Sequence, residues 1–382
     1  MIRVLIADDS AFMRKVISDL FKRQSDFEVV GTAVNGQDTI EKVKNLKPDL
    51  LTLDIQMPVM DGLEALAIIM EECPLPVVMV SSMTQAGTDA TIRALALGAV
   101  DFVGKAGGPI SKIDSIENEI IDKCREASKA HASKVRVSAA DSKPLIFTPK
   151  VKDTDSKKTE FKPRTPGFFT GQSPITTRAA ASSKTTTSSS SGNKKLVAIG
   201  TSTGGPQALQ TVITRLPKNL PCGVVVVQHM PAGFTKSLAE RLDSISEIAV
   251  EEAEHDEIIK DGQVYIAPGG FHLRVVPASG GERKIALSQE ARVGNHRPAV
   301  NVMFDSVAGI GKNLISVIMT GMGCDGCEGM KRIKANGGYS IAQDEQSCVV
   351  YGMPKAVVDA GLADEIKPLT QIAEAIVEAV RR

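Results

Sequence analysis

Short apolar, β-branched runs alternate with amphipathic stretches over the first third of this chain. The runs cover residues 3–7, 29–33, 50–54, 76–81 and 99–103. Between them, residues 11–21, 37–45, 63–71 and 89–97 carry apolar side chains at i, i+3 and i+4, which places one stripe along one side of a helix. Strand-length runs without polar alternation belong to strands buried on both faces. Five βα units therefore predict a doubly wound parallel sheet over residues 1–125. From 126 to 194 the rhythm stops, and Ser, Thr, Pro, Gly and Lys dominate. Such a composition buries too little apolar surface to offset its ordering entropy, which predicts a flexible linker. From 195 to 382 the rhythm returns. Residues 196–200, 224–228 and 314–320 read as buried parallel strands, and 206–215, 235–242 and 327–334 as helices. Short runs at 264–267, 273–276 and 285–288 predict a hairpin-rich insertion in an otherwise mainly parallel α/β domain.

Composition narrows the function class. A chain of 382 residues holds two or three domains. Its 45 Lys+Arg balance 45 Asp+Glu, so charge gives no pointer to nucleic acid or a membrane surface. The linker is basic (Lys134, Arg136, Lys143, Lys150), which solvation of a tether explains. No apolar run reaches the ~18 residues that span a bilayer, and Met1-Ile2-Arg3 leads straight into the first strand. The expectation is a cytoplasmic protein without nucleic-acid binding or membrane insertion. The 6 cysteines fit reduced thiols in a chain too large to need a disulfide framework. Cys324 and Cys327 have C-x-x-C spacing, but no further soft ligands accompany them in a zinc pattern.

Chemistry gathers at strand ends. In the first region the first strand ends in Asp8-Asp9, the third in Asp54 and the fourth in Ser81, while Lys105 follows the fifth. Ligands of an open parallel sheet sit beyond the carboxyl ends of its strands. These groups converge if the first and third strands are neighbours, as in the flavodoxin-like order 2-1-3-4-5. Hard carboxylates collected there suit Mg²⁺, with Lys105 and the Ser81 hydroxyl placed to hold phosphoryl oxygens. A lone Asp at a strand end is ordinarily a cap or turn residue; the ordered set Asp8-Asp9, Asp54-Ile55-Gln56-Met57-Pro58 and Asp101-Phe102-Val103-Gly104-Lys105 argues otherwise. Over residues 1–125 the set resembles the response-regulator receiver family. That resemblance implies Asp54 as acceptor of a phosphoryl group from a histidine kinase, and Mg²⁺ held by Asp8, Asp9, Asp54 and the Gln56 carbonyl. It implies Ser81, Phe102 and Lys105 as switch residues. Ala106 departs from it, since proline usually follows the lysine.

In the second region, Gly200-Thr201-Ser202-Thr203-Gly204-Gly205 joins a buried strand to a helix. Its G-x-S-x-G spacing permits a sharp turn that exposes a serine hydroxyl beside helix N-terminal donors. Such a turn can equally cradle a phosphate, although the Lys-Ser/Thr close of a Walker A motif is missing. A serine nucleophile needs a base. Of the 5 histidines, His131 lies in the linker, His255 in an acidic run, and His272 and His296 in loops that could touch substrate. His229 directly follows residues 224–228, and Asp325 follows 314–320. Ser202, His229 and Asp325 thus end three strands at one sheet edge, as a triad requires. Their order differs from the Ser…Asp…His of α/β-hydrolases.

Gly200 to Pro206, Gln228-His229-Met230-Pro231, Ala267-Pro268-Gly269, His296-Arg297-Pro298 and Thr320 to Gly326 resemble the chemotaxis protein-glutamate methylesterase family over residues 195–382. The resemblance implies Ser202 as nucleophile, His229 as base and acid, and Asp325 as its orienter, with Thr203 and the Met322 backbone supporting the oxyanion. It also implies a phosphorylation-activated hydrolase that demethylates glutamate methyl esters, and deamidates glutamines, on methyl-accepting chemoreceptors during sensory adaptation. Such an esterase site needs no cofactor. Two other readings stay open on residues alone, a non-catalytic DNA-binding output module and an esterase of small molecules.

Overall fold

The fold is described from a computed structural model, which describes residues 1–82, 84–105, 113–130 and 194–382. Ala106, His131 and nearly all of the expected linker lie outside the described residues. The described residues belong to one compact unit.

The first sheet contains β1 (Ile2–Ala7), β2 (Phe27–Ala33), β3 (Leu50–Asp54), β4 (Val77–Ser82) and β5 (Asp101–Lys105). They are parallel in the order β2-β1-β3-β4-β5, as expected. Alternation within β1 shows why its apolar run is unbroken: Leu5 and Ala7 join one core cluster, and Val4 and Ile6 join another across the sheet. Each of the Val, Leu and Ile side chains contributes roughly 1.5–3 kcal/mol by leaving water. Helices α1 (Ala11–Lys22), α2 (Gly36–Leu46), α3 (Gly62–Glu72), α4 (Gln85–Leu97) and α5 (Ile113–Ala127) cover the faces. Four of them start at capping residues. Ser10, Asn35, Asp61 and Thr84 each accept a backbone N–H from the first turn, each cap contributing about 1 kcal/mol. Helix α5 runs past the boundary expected at 125.

The second sheet has seven strands. In chain order they are β6 (Leu196–Thr201), β7 (Gly223–Gln228), β8 (Ala249–Glu252), β9 (Gln263–Ile266), β12 (Leu314–Ile318), β13 (Tyr339–Gln343) and β14 (Glu365–Lys367). All are parallel, in the order β14-β13-β12-β6-β7-β9-β8. Helices α6 (Gly205–Ile213), α7 (Phe234–Ile245), α8 (Val300–Val307), α9 (Cys327–Ala335), α10 (Met353–Asp359) and α11 (Leu369–Arg381) pack around it. The hairpin insertion is smaller than expected. It consists of β10 (His272–Pro277) paired antiparallel with β11 (Arg283–Ser288), whereas the run at 264–267 joins the main sheet against β7 and β8. A short apolar run fits either environment, and parallel partners distant in sequence decided this one. His272 is likewise no loop residue. It opens β10, is fully buried, and its Nε2 meets the Ala291 carbonyl at 3.0 Å.

Strand β6 has β7 on one side and β12 on the other. Chain direction across the sheet reverses there, and the crevice at such a switch point is where an α/β sheet binds ligands.

Candidate active site

Three strand ends meet at this crevice. Beyond β6, Ser202 begins a tight turn into α6, and Gly204 adopts φ +76, a conformation costly for any residue with a Cβ. Gly205 meets a second constraint, since a Cβ there would fall 1.9 Å from Gln228 Oε1. That amide ties the turn together: Thr201 Oγ1 donates to Gln228 Oε1 at 2.7 Å, and Gln228 Nε2 donates to the Ser202 carbonyl at 3.0 Å. The Ser202 N–H donates to the Thr320 carbonyl at 3.0 Å, binding the turn to the end of β12. Thr320 Oγ1 in turn donates to the Thr203 carbonyl at 2.9 Å. Gln228 and Thr320 were not singled out from sequence, because a polar residue ending a strand gives no local sign of its partner.

The three expected triad residues come together. His229 Nδ1 lies 3.2 Å from Ser202 Oγ, and His229 Nε2 lies 2.8 Å from Asp325 Oδ2. A carboxylate only accepts, so the tautomer that satisfies both contacts carries its proton on Nε2 and leaves Nδ1 free to accept from the serine hydroxyl. Asp325 also accepts the N–H groups of Val300 at 2.6 Å, Asn301 at 2.9 Å and Gly326 at 2.9 Å. Burial by itself would raise its pKa. The His229 contact and the α8 N–H donors outweigh that and hold the carboxyl below its usual range. Asp325 is therefore an anion fixed at both oxygens.

The remaining residues fall around this core. Met322 is 38% exposed, and among the described residues neither its N–H nor that of Thr203 forms a hydrogen bond. Two such free donors beside the Ser202 hydroxyl are of the kind that suits a developing oxyanion. Cys324 is exposed and Cys327 buried. Neither belongs to a cluster of three metal-ligating side chains, which among the described residues occurs only at Asp8, Asp9 and Asp54. His255 is largely exposed, as expected from its acidic surroundings. His296 does reach the site, and its ring stacks on that of His229 with centroids 3.7 Å apart and planes 9° from parallel.

The first region covers the same turn. Thr203 Oγ1 donates to Asp101 Oδ2 at 2.6 Å, and Gln207 Nε2 donates to the carbonyls of Leu95 at 2.7 Å and Ala99 at 3.1 Å. Phe102 stacks on Phe234, centroids 4.4 Å apart, and Ser237 Oγ donates to Asp89 Oδ1 at 2.6 Å. Helix α4 and strand β5 thus sit beside Ser202. Asp101 also accepts the Phe102 N–H and the Lys123 ammonium.

At the other sheet edge, Asp8, Asp9 and Asp54 offer carboxylate oxygens within 4.8 Å of one another. Asp9 also lines a cleft of about 610 Å³, together with Gln56, Met57 and Asp61. Lys105 Nζ contacts Asp54 Oδ2 at 2.7 Å and Asp8 Oδ2 at 3.1 Å. Burial raises the Asp54 pKa, and Lys105 only partly offsets this. For Lys105 burial works downward, but the two carboxylates win and raise it. Ser81 Oγ donates to the Gly87 carbonyl at 3.1 Å, and the Gln56 N–H reaches Asp54 Oδ1 at 3.4 Å. A hard, anionic oxygen set opening to water fits Mg²⁺.

Comparison with known proteins places both regions of the chain in known families. Residues 197–376 match the CheB methylesterase family, and residues 4–116 match the response regulator receiver domain. The protein-glutamate methylesterase/protein-glutamine glutaminase of Halalkalibacterium halodurans is 44% identical, over 100% of this chain and 99% of its own length. Its namesake from Symbiobacterium thermophilum is 47% identical, over 99% of this chain and 97% of its own. The crystal structure of the Thermotoga maritima CheB methylesterase catalytic domain is 49% identical and covers 48% of this chain and 98% of its own, with a TM-score of 0.47.

Proposed function

The chain belongs to the CheB methylesterase family, and on that footing we propose that Ser202, His229 and Asp325 are its catalytic triad and Asp54 its phosphoacceptor. It is a phosphorylation-regulated protein-glutamate methylesterase and protein-glutamine glutaminase of chemotaxis. One observation carries the residue assignment: the ends of three adjacent strands bring a serine, an imidazole and a buried carboxylate into a chain of 3.2 Å and 2.8 Å contacts.

In this reading Ser202 Oγ attacks the γ-carbonyl carbon of a glutamate methyl ester while His229 Nδ1 takes its proton. The imidazolium keeps its Nε2–H on Asp325, whose charge offsets the new cation. The backbone N–H groups of Thr203 and Met322 hold the tetrahedral oxyanion. On collapse, His229 returns the proton to the methoxide, methanol leaves, and the glutamyl group remains esterified to Ser202. Water, deprotonated by His229, hydrolyses that ester to glutamate. A glutamine substrate follows the same steps with ammonia leaving.

The substrates are glutamates and glutamines of methyl-accepting chemoreceptors, reached from the cytoplasm. Among the described residues no helix is long and apolar enough to cross a membrane. A histidine kinase supplies the phosphoryl group. Asp8, Asp9, Asp54 and the Gln56 carbonyl would hold Mg²⁺, which lessens repulsion between Asp54 and the incoming phosphoryl oxygens. Lys105 and Ser81 would take the phosphoryl oxygens, Lys105 leaving its pairing with Asp54 and Ser81 its bond to Gly87. Both lie on the β4–β5 side of the sheet, as does Phe102, packed on Phe234. Phosphorylation would thereby shift the population toward arrangements with the Ser202 turn uncovered.

Methanol release from methylated receptor membranes by the phosphorylated full chain tests the triad. Ser202→Ala should abolish it, and undiminished release would sink the assignment. Hydrolysis of soluble esters with no action on methylated receptor would instead favour a small-molecule esterase.

A further inference from the structure

We infer that His296 is a positioning residue for the esterase reaction. Its stacked imidazole holds the ring of His229 in the plane that joins Ser202 to Asp325. The inference rests on the triad reading above.

The geometry of a hydrogen-bonded imidazole makes such a partner necessary. Contacts at Nδ1 and Nε2 lie at opposite edges of the ring, 3.2 Å from Ser202 and 2.8 Å from Asp325. Two such contacts define an axis through the ring but leave it free to rock about that axis. Resistance to rocking requires something against the face. His296 supplies it, nearly parallel at 9° and 3.7 Å away. The need grows during reaction. Once Ser202 Oγ bonds to the carbonyl carbon, the Nδ1 contact changes and Asp325 alone anchors the ring, just when Nδ1 must carry its proton to the leaving group.

His296 is itself fixed. Its N–H and carbonyl exchange bonds with Val293 at 3.0 and 3.1 Å, across a turn with Gly294 at φ 59 and Asn295 at φ 67. The Arg297 guanidinium then donates to the carbonyls of Gln289 at 2.8 Å and Glu290 at 2.9 Å. A few residues later, the Val300 and Asn301 N–H groups clamp Asp325. One segment, 293–301, therefore grips both the face of the general base and the carboxylate that orients it.

The charge state suits the role. Burial, with the facing His229 and more distant Lys123 and Arg292, pushes His296 down to about 4, against the opposing pull of Asp325. It stays neutral at working pH, so its ring meets the transient His229 imidazolium with a π-face rather than a second cation.

The test uses the full chain with Mg²⁺ and a small-molecule phosphodonor, measuring methanol release from methylated receptor membranes. His296→Ala, and His296→Leu as a space-filling variant without a flat face, should lower kcat roughly 10- to 100-fold, in line with loss of alignment at a reacting group, with KM nearly unchanged. His296→Phe, flat but without ring nitrogens, should restore most of kcat. Melting temperature and phosphorylation of Asp54 report folding. Wild-type kcat in folded His296→Ala or His296→Leu overturns the inference, and so does His296→Phe as impaired as the alanine variant. Ser202→Ala runs alongside, and methanol release by that variant marks failure of the triad reading instead.

Discussion

Asp101→Asn should raise the activity of the unphosphorylated enzyme. In the closed arrangement Asp101 Oδ2 accepts the Thr203 hydroxyl at 2.6 Å, one residue from the nucleophile. Its other bonds, from the Phe102 N–H at 2.7 Å and Lys123 Nζ at 3.2 Å, lie within the receiver. They persist whether the Ser202 turn is covered or open, so they cancel from the equilibrium between those arrangements. Only the Thr203 contact changes. With the amide oxygen kept on Phe102 and Lys123, the asparagine NH₂ faces Thr203 Oγ1 and donates to it, so a bond to a charged partner, worth about 1.5–3 kcal/mol, becomes a neutral one worth about 0.5–1.5 kcal/mol. The difference is about 1–1.5 kcal/mol. With 1.4 kcal/mol per factor of ten, the open population and the basal rate should rise roughly 5- to 10-fold while that population is small. Basal methanol release from methylated receptor measures this, with the fully phosphorylated rate as reference. A basal rate unchanged or lowered, in a variant whose phosphorylated rate is normal, would refute Asp101 as a latch on Thr203.

Other outcomes follow from the same contacts. Asp325→Asn places an NH₂ among three N–H donors and removes the acceptor that fixes the His229 tautomer, so kcat should fall by about 10⁴ in steady-state assays of the phosphorylated enzyme. Because the Asp325 pKa is lowered on folding, its stabilisation is present above the unfolded value near pH 3.9 and is lost as pH falls through the lower folded value. The deficit of Asp325→Asn in chemical denaturation should accordingly shrink below about pH 4. Gly321→Ala would put a Cβ 2.8 Å from that of Ser202 and 2.3 Å from Met353 Sδ, so activity should drop and unfolding titrations should show about 1–3 kcal/mol of lost stability. Lys105→Met leaves Asp8 and Asp54 without their ammonium, and Mg²⁺ should raise its melting temperature more than that of the wild type.

Strand ends were the legible part of this molecule. Runs such as 50–54, 196–200 and 224–228 are buried on both faces, so their apolar character is local and continuous, and chemically distinctive residues at or just beyond their ends stand out. That is why Asp54, Ser202, His229 and Asp325 could be read from sequence. Residues whose meaning depends on a distant partner could not. Tyr339–Gln343 and Glu365–Lys367 carry Ser340, Gln343 and charged residues, and the sequence pattern assigned them to no element although they complete the parallel sheet. His296 was expected in a loop that could touch substrate, but nothing near it in sequence reveals its stacking on the ring of His229. Asp101 stood in the receiver pattern, yet its bond to Thr203 spans 102 positions. Gln207 looked like an ordinary helix residue, although its amide seats α6 against α4.

The account as a whole makes Asp54 the input that controls hydrolysis at Ser202. Methanol release from methylated receptor membranes, measured with and without phosphodonor for the wild type and Asp54→Asn, tests this most directly. The account predicts strong stimulation of the wild type and an unstimulated basal rate in Asp54→Asn. Equal stimulation of both proteins would contradict it.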